Sequence, residues 1–485
     1  MDYMNMATIF INLFFATVII FSGHKNPSFT WAWLLLLFIF PYFGFFLYLV
    51  IGMNGGRLRI FQKKAIRDKI INTKTHRATF PGLNYIRLND DILLTSQFIR
   101  NEEYNNFEDL ARLNHTMDDA HYIENNTIKI YNSGEEKFAD LMKDIEKAKT
   151  FIHLEYYIVR DDNISNKLIN ALAKKARAGV EVKFLMDRMG TYLVNKKNFK
   201  RIIKGGGDIA YFEGPIVTNL NYRNHRKLAV IDGKVGYVGG LNVGDEYLGK
   251  VKRFGNWRDS HIRINGDSVK DLEIRFMKDW NFSSANKVKM IERYFPKIKK
   301  LKDTMAIQIV SSGPDTKNDN ILAAFLKMIN SAKKSIYIVT PYFVPNESLI
   351  DALKIASLSG VKITILIPAN PDHLFVYNAS ISYIRDLINY DIKCCEYEKG
   401  FIHAKLLIVD EFMVSIGSAN MDIRSFSLNF EVNSFIYDVN TAKKFIEQIE
   451  EDMLDSREIT KKWLNQRSVF RLLEEAASKL ISPLL

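Results

Sequence analysis

Cysteine is nearly missing: the 485 residues include two, Cys394 and Cys395, side by side. Adjacent cysteines are badly placed to bridge each other, and a single pair without C-x-x-C spacing makes neither a redox motif nor a thiolate zinc site. A disulfide-stapled scaffold is therefore excluded, and the body reads as reduced and cytosol-facing. Acidic residues are in deficit, 55 Asp and Glu against 67 Lys and Arg, giving a net charge of +12. That balance implies an anionic partner: nucleic acid, an acidic membrane surface or a phosphorylated substrate. The chain also lacks the basic start of a secretory signal, opening Met1-Asp2. Its length exceeds one ordinary domain, and 47% hydrophobic residues can fill substantial cores, so two or three domains are expected.

Long uncharged runs are present at one end only. "WAWLLLLFIFPYFGFFLYLVI", Trp31 to Ile51, is long enough as one helix to span a hydrocarbon core of about 30 Å. Pro41 and Gly44 are tolerated in such a helix, and its tryptophans and tyrosines suit the interfaces. Met4 to Phe21 is diluted by Asn5, Thr8, Asn12 and Thr17 but reads as a second span, giving a hairpin closed by the short polar loop Ser22 to Thr30. The Lys- and Arg-rich "RLRIFQKKAIRDK" that follows reads chiefly as a topology signal, placing both the N-terminus and the body on the cytoplasmic side, near anionic lipid. The expected organisation is a transmembrane hairpin over 1–55, a basic juxtamembrane and linker region over 56–130, and two α/β halves over 131–300 and 301–485. Residues 70–126 carry little periodicity and no assigned role.

The body alternates helical and strand patterns twice in one order. A helix from Phe138, the strand "FIHLEYYIV", the helix "SNKLINALAKKARAG" and the strand "VEVKFLMD" are matched by "NILAAFLKMINSAKK", "SIYIVTPYF", "ESLIDALKIASLSG" and "VKITILIP". Gly179 and Gly360 stand where helix ends want a left-handed residue. The final strands of each half carry the clearest repeat. "NHRKLAVIDGKVGYVGGLN" and "IHAKLLIVDEFMVSIGSAN" superpose without a gap at an offset of 178, placing His225 on His403, Lys227 on Lys405, Asp232 on Asp410, Gly239 on Gly417 and Asn242 on Asn420. This is an internal duplication. Period-two geometry sets each histidine and its lysine on one face, with Asp232 and Asp410 of opposite parity, organising the site from behind.

A lone His-x-Lys carries no signal; two copies related by a pseudo-twofold axis bring two histidines to one pocket, with lysines and asparagines as donors for phosphate oxygens. One imidazole can attack phosphorus while the other protonates the leaving alkoxide and later deprotonates the acceptor. A zinc set of two His and two Asp is the rival, but each lysine would repel a cation, so no metal or cofactor is expected.

These two H-x-K-x-x-x-x-D motifs, with "WRDSHIRINGD", "TPYFVP", "NFEVN" and the closing "SPLL", resemble the bacterial cardiolipin synthases of the phospholipase D superfamily. The resemblance covers most of the chain. It implies duplicated α/β halves meeting at one active site; His225, Lys227, Asp232, His403, Lys405 and Asp410 as catalytic motif residues; Asn242 and Asn420 in support; and Asp259 and Glu431 as carboxylates that steer the histidine rings. Glu155 is a further candidate. The activity implied is transfer of a phosphatidyl group between two phosphatidylglycerols at the cell membrane, without nucleic acid. A hydrolytic phospholipase D or another phosphatidyltransferase would use the same residues, whereas a membrane-tethered nuclease or a lipid-binding scaffold sits poorly with the hairpin and the two complete motifs. The C-terminal "FRLLEEAASKLISPLL" has an apolar stripe at helical spacing, suited to docking on the body or to lying in a membrane surface.

Overall fold

A computed structural model describes residues 3–21, 27–48, 55–77, 107–212 and 222–482. The first half contributes strands β1 (Ile123–Tyr131), β2 (Phe151–Tyr156), β3 (Glu181–Asp187), β4 (Asp208–Phe212), β5 (Leu228–Ile231), β6 (Val235–Gly239), β7 (Asn256–Arg258) and β8 (His261–Gly266). The second contributes β9 (Met305–Ser312), β10 (Ser335–Val339), β11 (Phe343–Val344), β12 (Lys362–Pro368), β13 (Lys393–Tyr397), β14 (Gly400–Ile402), β15 (Leu406–Val409), β16 (Met413–Gly417), β17 (Met421–Asp422), β18 (Glu431–Tyr437) and β19 (Ser456–Glu458).

Fifteen of these strands form one sheet in the order β19-β13-β12-β10-β15-β16-β18-β9-β1-β8-β6-β5-β2-β3-β4. Outward from the central antiparallel β9–β1 pair, β18, β16, β15, β10, β12 and β13 mirror β8, β6, β5, β2, β3 and β4, so the duplication in sequence is a pseudo-twofold in space. The crossover helices repeat as well. Asp162 caps Asn163–Arg177 by accepting from the Ser165 amide, and Asn346 caps Glu347–Leu358 by accepting from the Leu349 amide. Each helix is followed by a glycine at positive φ, Gly179 at 83° and Gly360 at 93°, a conformation that costs a side-chain-bearing residue about 1 kcal/mol. Strands buried on both faces are packed by helices on each side, and the two halves share a core that joins Val230, Val238 and Ile262 of the first to Ile408, Ile416 and Val432 of the second.

The N-terminal segment departs from the expected uninterrupted span. α1 (Tyr3–Phe21) packs against α2 (Pro27–Ile39), but α2 stops before Phe40, and α3 (Pro41–Leu47) begins with the proline at its first position. Pro41 has no amide hydrogen and crowds Phe40 out of the helical region, to φ −130° and ψ 76°. Gly44 lets the kinked pieces approach, since a Cβ there would meet the Leu36 carbonyl oxygen at 2.7 Å. Residues 49–51 of the expected span lie outside the described residues. Among the described residues, no helix is long and apolar enough to cross a membrane.

The basic run after it forms α4 (Gly55–Arg77), and this helix is not merely a surface charge signal. Phe61 is buried against Tyr222 and Phe430, and Lys64 is fully buried among carboxylates of the body. At the other end, Val469–Ile481 docks on the helix Leu374–Leu387 through Arg385–Glu475 and Lys479–Asp386 ion pairs, while Val469, Phe470 and Leu473 remain exposed. Cys394 and Cys395 are buried free thiols.

Candidate active site

β5 and β15 hold equivalent places in the two halves of the sheet, and His225 and His403, just before each strand, line one cavity of about 530 Å³. The halves are cross-wired there. His225 Nδ1 lies 2.9 and 3.1 Å from the two carboxylate oxygens of Glu431, in the second half. His403 Nδ1 lies 2.7 Å from Oδ2 of Asp259, in the first. The backbone repeats the exchange: the His225 amide donates to the Phe430 carbonyl at 3.0 Å and the His403 amide to the Arg258 carbonyl at 2.7 Å, each the residue before the carboxylate. A carboxylate on Nδ1 fixes the tautomer and leaves Nε2 as the nitrogen available to the cavity.

The motif glycines have a steric purpose. A Cβ on Gly240 would lie 2.1 Å from Asp259 Oδ1, and one on Gly417 would lie 2.2 Å from the Val432 carbonyl, so small residues make room for the carboxylate-bearing segment of their own half. In the second motif Ser418 replaces the second glycine, and its hydroxyl accepts from the Val432 amide at 3.0 Å.

Electrostatics follow from burial. His225 is only 12% exposed, and burial, reinforced by Lys227 and Lys405 against the pull of Glu431, pushes its imidazole down to about 4. His403 is lowered in the same way, by burial and Lys405, with Asp259 opposing. Of the arginines flanking His225, Arg226 points away from the cavity to Asp279, whereas Arg223 lines the cavity. Burial also depresses both lysines, Lys405 to about 8 and Lys227 well below its ordinary value. Each ammonium donates to its own histidine's carbonyl, at 2.5 Å for Lys227 and 2.6 Å for Lys405. Burial works against the ionised carboxylates, but His225 and Lys227 hold Glu431, and His403 and Lys405 hold Asp259, below the usual range. The empty site thus places ionised carboxylates behind neutral imidazoles.

Asn242 and Asn420 both line the cavity. Asn242 accepts from the Ile158 amide and donates to the Tyr247 hydroxyl, while Asn420 donates to Asp422. Asp232 and Asp410, grouped by motif with the catalytic candidates, lie at the far end of their strands. Asp232 accepts from the amides of Lys149, Thr150 and Phe151, and Asp410 from those of Lys333, Lys334 and Ser335. They brace the entry to β2 and β10, at the strand ends away from His225 and His403. Glu155 is buried beside the site, where Asn224 donates to it at 2.6 Å; burial, with Asp279 adding, pushes its carboxyl up to about 8.

Several lining residues had no signal in the repeat: Tyr157, edge-on to His225 at 5.0 Å, Trp257, 5.3 Å from His403, and Arg424. Leu374 and Phe375 line the mouth while remaining 65% and 62% exposed. Among the described residues, no group of three or more His, Cys, Asp or Glu side chains is placed to hold a metal ion.

A duplicated α/β sheet that brings the histidine of one His-x-Lys motif from each half into a shared cavity defines a phospholipase D-like protein. The family model described as "Cardiolipin synthase, PLD-like domain" matches residues 141–280 and 325–453, and one described as "Phospholipase_D-nuclease N-terminal" matches 10–52. The chain is 43% identical to the major cardiolipin synthase ClsA of Bacillus subtilis, over 99% of this chain and 100% of that one. It is equally 43% identical to a cardiolipin synthase of Staphylococcus aureus, over 98% of this chain and 95% of the relative. The fold matches a crystal structure of phosphatidylserine synthase from Haemophilus influenzae with a TM-score of 0.59 at 14% identity, over 78% of this chain and 100% of that one. The chain belongs to the cardiolipin synthase family of the phospholipase D superfamily.

Proposed function

We propose that the protein transfers a phosphatidyl group from one phosphatidylglycerol to the hydroxyl of a second, giving cardiolipin and glycerol. The observation that carries this reading is the pair of histidines in one cavity, each held at Nδ1 by a carboxylate of the opposite half. His225 Nε2 attacks phosphorus, forming the N–P bond as the P–O bond to glycerol breaks, and His403 delivers the proton that glycerol takes away. His403 then removes the proton of the second phosphatidylglycerol's hydroxyl as that oxygen displaces His225 from phosphorus. Lys227, Lys405, Asn242 and Asn420 supply donors around the phosphate. The anionic phosphodiester, arriving between two cations and two imidazoles, raises the imidazole pKa values and so favours a proton on one of them. Departure from two like phosphodiester bonds leaves the reaction near balance.

Membrane insertion of the hairpin belongs to the same reading. α2 and α3 together reach from Pro27 to Leu47, long enough as a kinked pair to cover about 30 Å, and α1 packs against them. The cations of α4 after the hairpin support a cytoplasmic body, and the exposed Leu374 and Phe375 place apolar surface at the cavity mouth. The test is purified full-length protein incubated with phosphatidylglycerol alone, with the lipids resolved. Cardiolipin with stoichiometric glycerol is expected. Phosphatidic acid alone would make the acceptor water, and a requirement for a cytidine-activated lipid would overturn the reading.

A further inference from the structure

The two motifs differ between histidine and lysine: Arg226 in the first, Ala404 in the second. Both are fully buried, but Arg226 reaches away from the cavity. Its Nη1 donates to Asp279 Oδ2 at 2.6 Å, its Nε to the Glu431 carbonyl at 3.0 Å, and its Nη2 to the Ser312 carbonyl at 3.2 Å. One side chain therefore ties the residue after His225 to the backbone of the glutamate that holds the His225 ring.

Asp279 is in turn held by α4. Lys64 Nζ lies 3.1 Å from Asp279 Oδ1, 2.6 Å from Asp315 and 2.7 Å from Asp68. Arg275 donates to both oxygens of Asp279, at 2.9 and 2.8 Å, and to Asp68 at 3.1 Å. Lys64, Arg226 and Arg275 thus face Asp68, Asp279 and Asp315 in a buried cluster, with Lys278 and Asp118 at its edge. The same helix reaches the site by a second route: Phe61 packs edge-on to Phe430 at 5.2 Å, and the Phe430 carbonyl accepts the His225 amide. Lys64 and Arg226 stand over that ring at 5.5 and 5.4 Å. The His403 side is braced differently, because Arg258, next to Asp259, pairs with Asp452 of the helix Val439–Leu454 within the second half.

We propose that Lys64 is a positioning residue for the His225–Glu431 pair, which makes the juxtamembrane helix α4 part of the catalytic architecture. Removing its charge leaves three buried carboxylates with two guanidiniums. Arg226 is then drawn toward the unneutralised carboxylates and off the Glu431 carbonyl, and His225 loses its alignment with phosphorus. In-line attack is sensitive to such shifts, a displacement of about 1 Å costing roughly a hundredfold. Lys64 does not line the cavity, so substrate binding is spared.

The inference rests on the proposed reaction only for its readout. Full-length protein in mixed micelles is assayed with a p-nitrophenyl phosphodiester, which needs no acceptor lipid, and with phosphatidylglycerol. Lys64→Met is expected to lower kcat at least tenfold on both, with KM within twofold, the burst rate of His225 adduct formation falling in proportion. Lys64→Arg should restore at least a third of the wild-type kcat. A smaller kcat effect, a rise in KM matching the loss, or activity that simply follows the folded fraction overturns the proposal. Where Lys64→Met does not fold, Asp315→Asn serves: it turns Lys64 onto Asp279 in competition with Arg226, and kcat should fall at least threefold at constant KM, a smaller fall overturning the proposal. Wild-type turnover of the p-nitrophenyl diester without cardiolipin synthesis would sink the acceptor assignment and leave this test readable.

Discussion

Replacing Asp259 with Asn separates the two histidines' roles. Asp259 is fully buried, and its Oδ2 accepts from His403 Nδ1 at 2.7 Å while Oδ1 accepts the Ser260 amide at 2.7 Å. The substitution keeps the shape and removes the charge. A hydrogen bond to a charged group contributes about 1.5–3 kcal/mol, and each 1.36 kcal/mol is tenfold, so the loss is roughly ten- to a hundredfold wherever His403 must carry a proton. The upper end is expected, because an asparagine amide can also donate to Nδ1 and move the imidazole proton to Nε2. The assay is rapid quench with two donors. Phosphatidylglycerol, whose alkoxide must be protonated to leave, should form the His225 adduct about a hundredfold more slowly. A p-nitrophenyl diester, whose leaving group needs no proton, should form it within about threefold of wild type and then release it slowly, since the acceptor has lost its base. Equal slowing with both donors would refute the assignment of His403 as acid, and a leaving-group effect seen in Glu431→Gln instead would exchange the roles.

Glu431→Gln is expected to slow adduct formation by about ten- to a hundredfold with either donor, by the same charge-assisted bond on His225; single-turnover rates check it. In kcat/KM of the empty enzyme, the acid limb should lie near pH 4, where His225 loses its proton, and activity with phosphatidylglycerol should fall again below the ordinary histidine value as His403 is deprotonated. The p-nitrophenyl donor should lack that falling limb in its burst rate. Asp410→Ala removes the acceptor of the Lys333, Lys334 and Ser335 amides and should cost about 1–3 kcal/mol of stability, read as a lower denaturation midpoint with no leaving-group dependence. Excess glycerol should suppress net cardiolipin formation, measured by product ratio at equilibrium.

The duplication, the α/β alternation and the cavity's histidines and asparagines were legible because they recur at one offset. The cross-wiring was not. Glu431 lies 206 residues from His225 and Asp259 lies 144 from His403, and nothing local says which carboxylate serves which ring. Gly240 is clearance for Asp259, a contact that no local signal in the sequence reveals. The basic run of α4 hid a buried cation for the same reason of distance: Lys64 looks like its neighbours until Asp279 and Asp315 are folded against it. The hairpin's kink turned on one residue, Pro41, whose local backbone constraint prevailed over a continuous apolar run.

Two histidines with one motif must still do different work, and the difference has to come from what holds them. Burial and the paired lysines depress both imidazoles in the empty site, so neither begins as the acid. When a phosphodiester anion enters, the proton settles on the ring with the stronger acceptor behind it. Glu431 Oε1, at 2.9 Å from His225, also accepts from Asn429 at 3.2 Å, so its negative charge is shared between donors. Asp259 turns Oδ2 to His403 at 2.7 Å and takes the Ser260 amide on its other oxygen. In the proposed reaction, the shorter bond from an oxygen not shared with that amide is the feature that would favour imidazolium at His403 and leave His225 neutral as the nucleophile. The pseudo-twofold supplies the donors for phosphate, and small departures from it, Asp for Glu and Ala404 for Arg226, divide the proton from the lone pair.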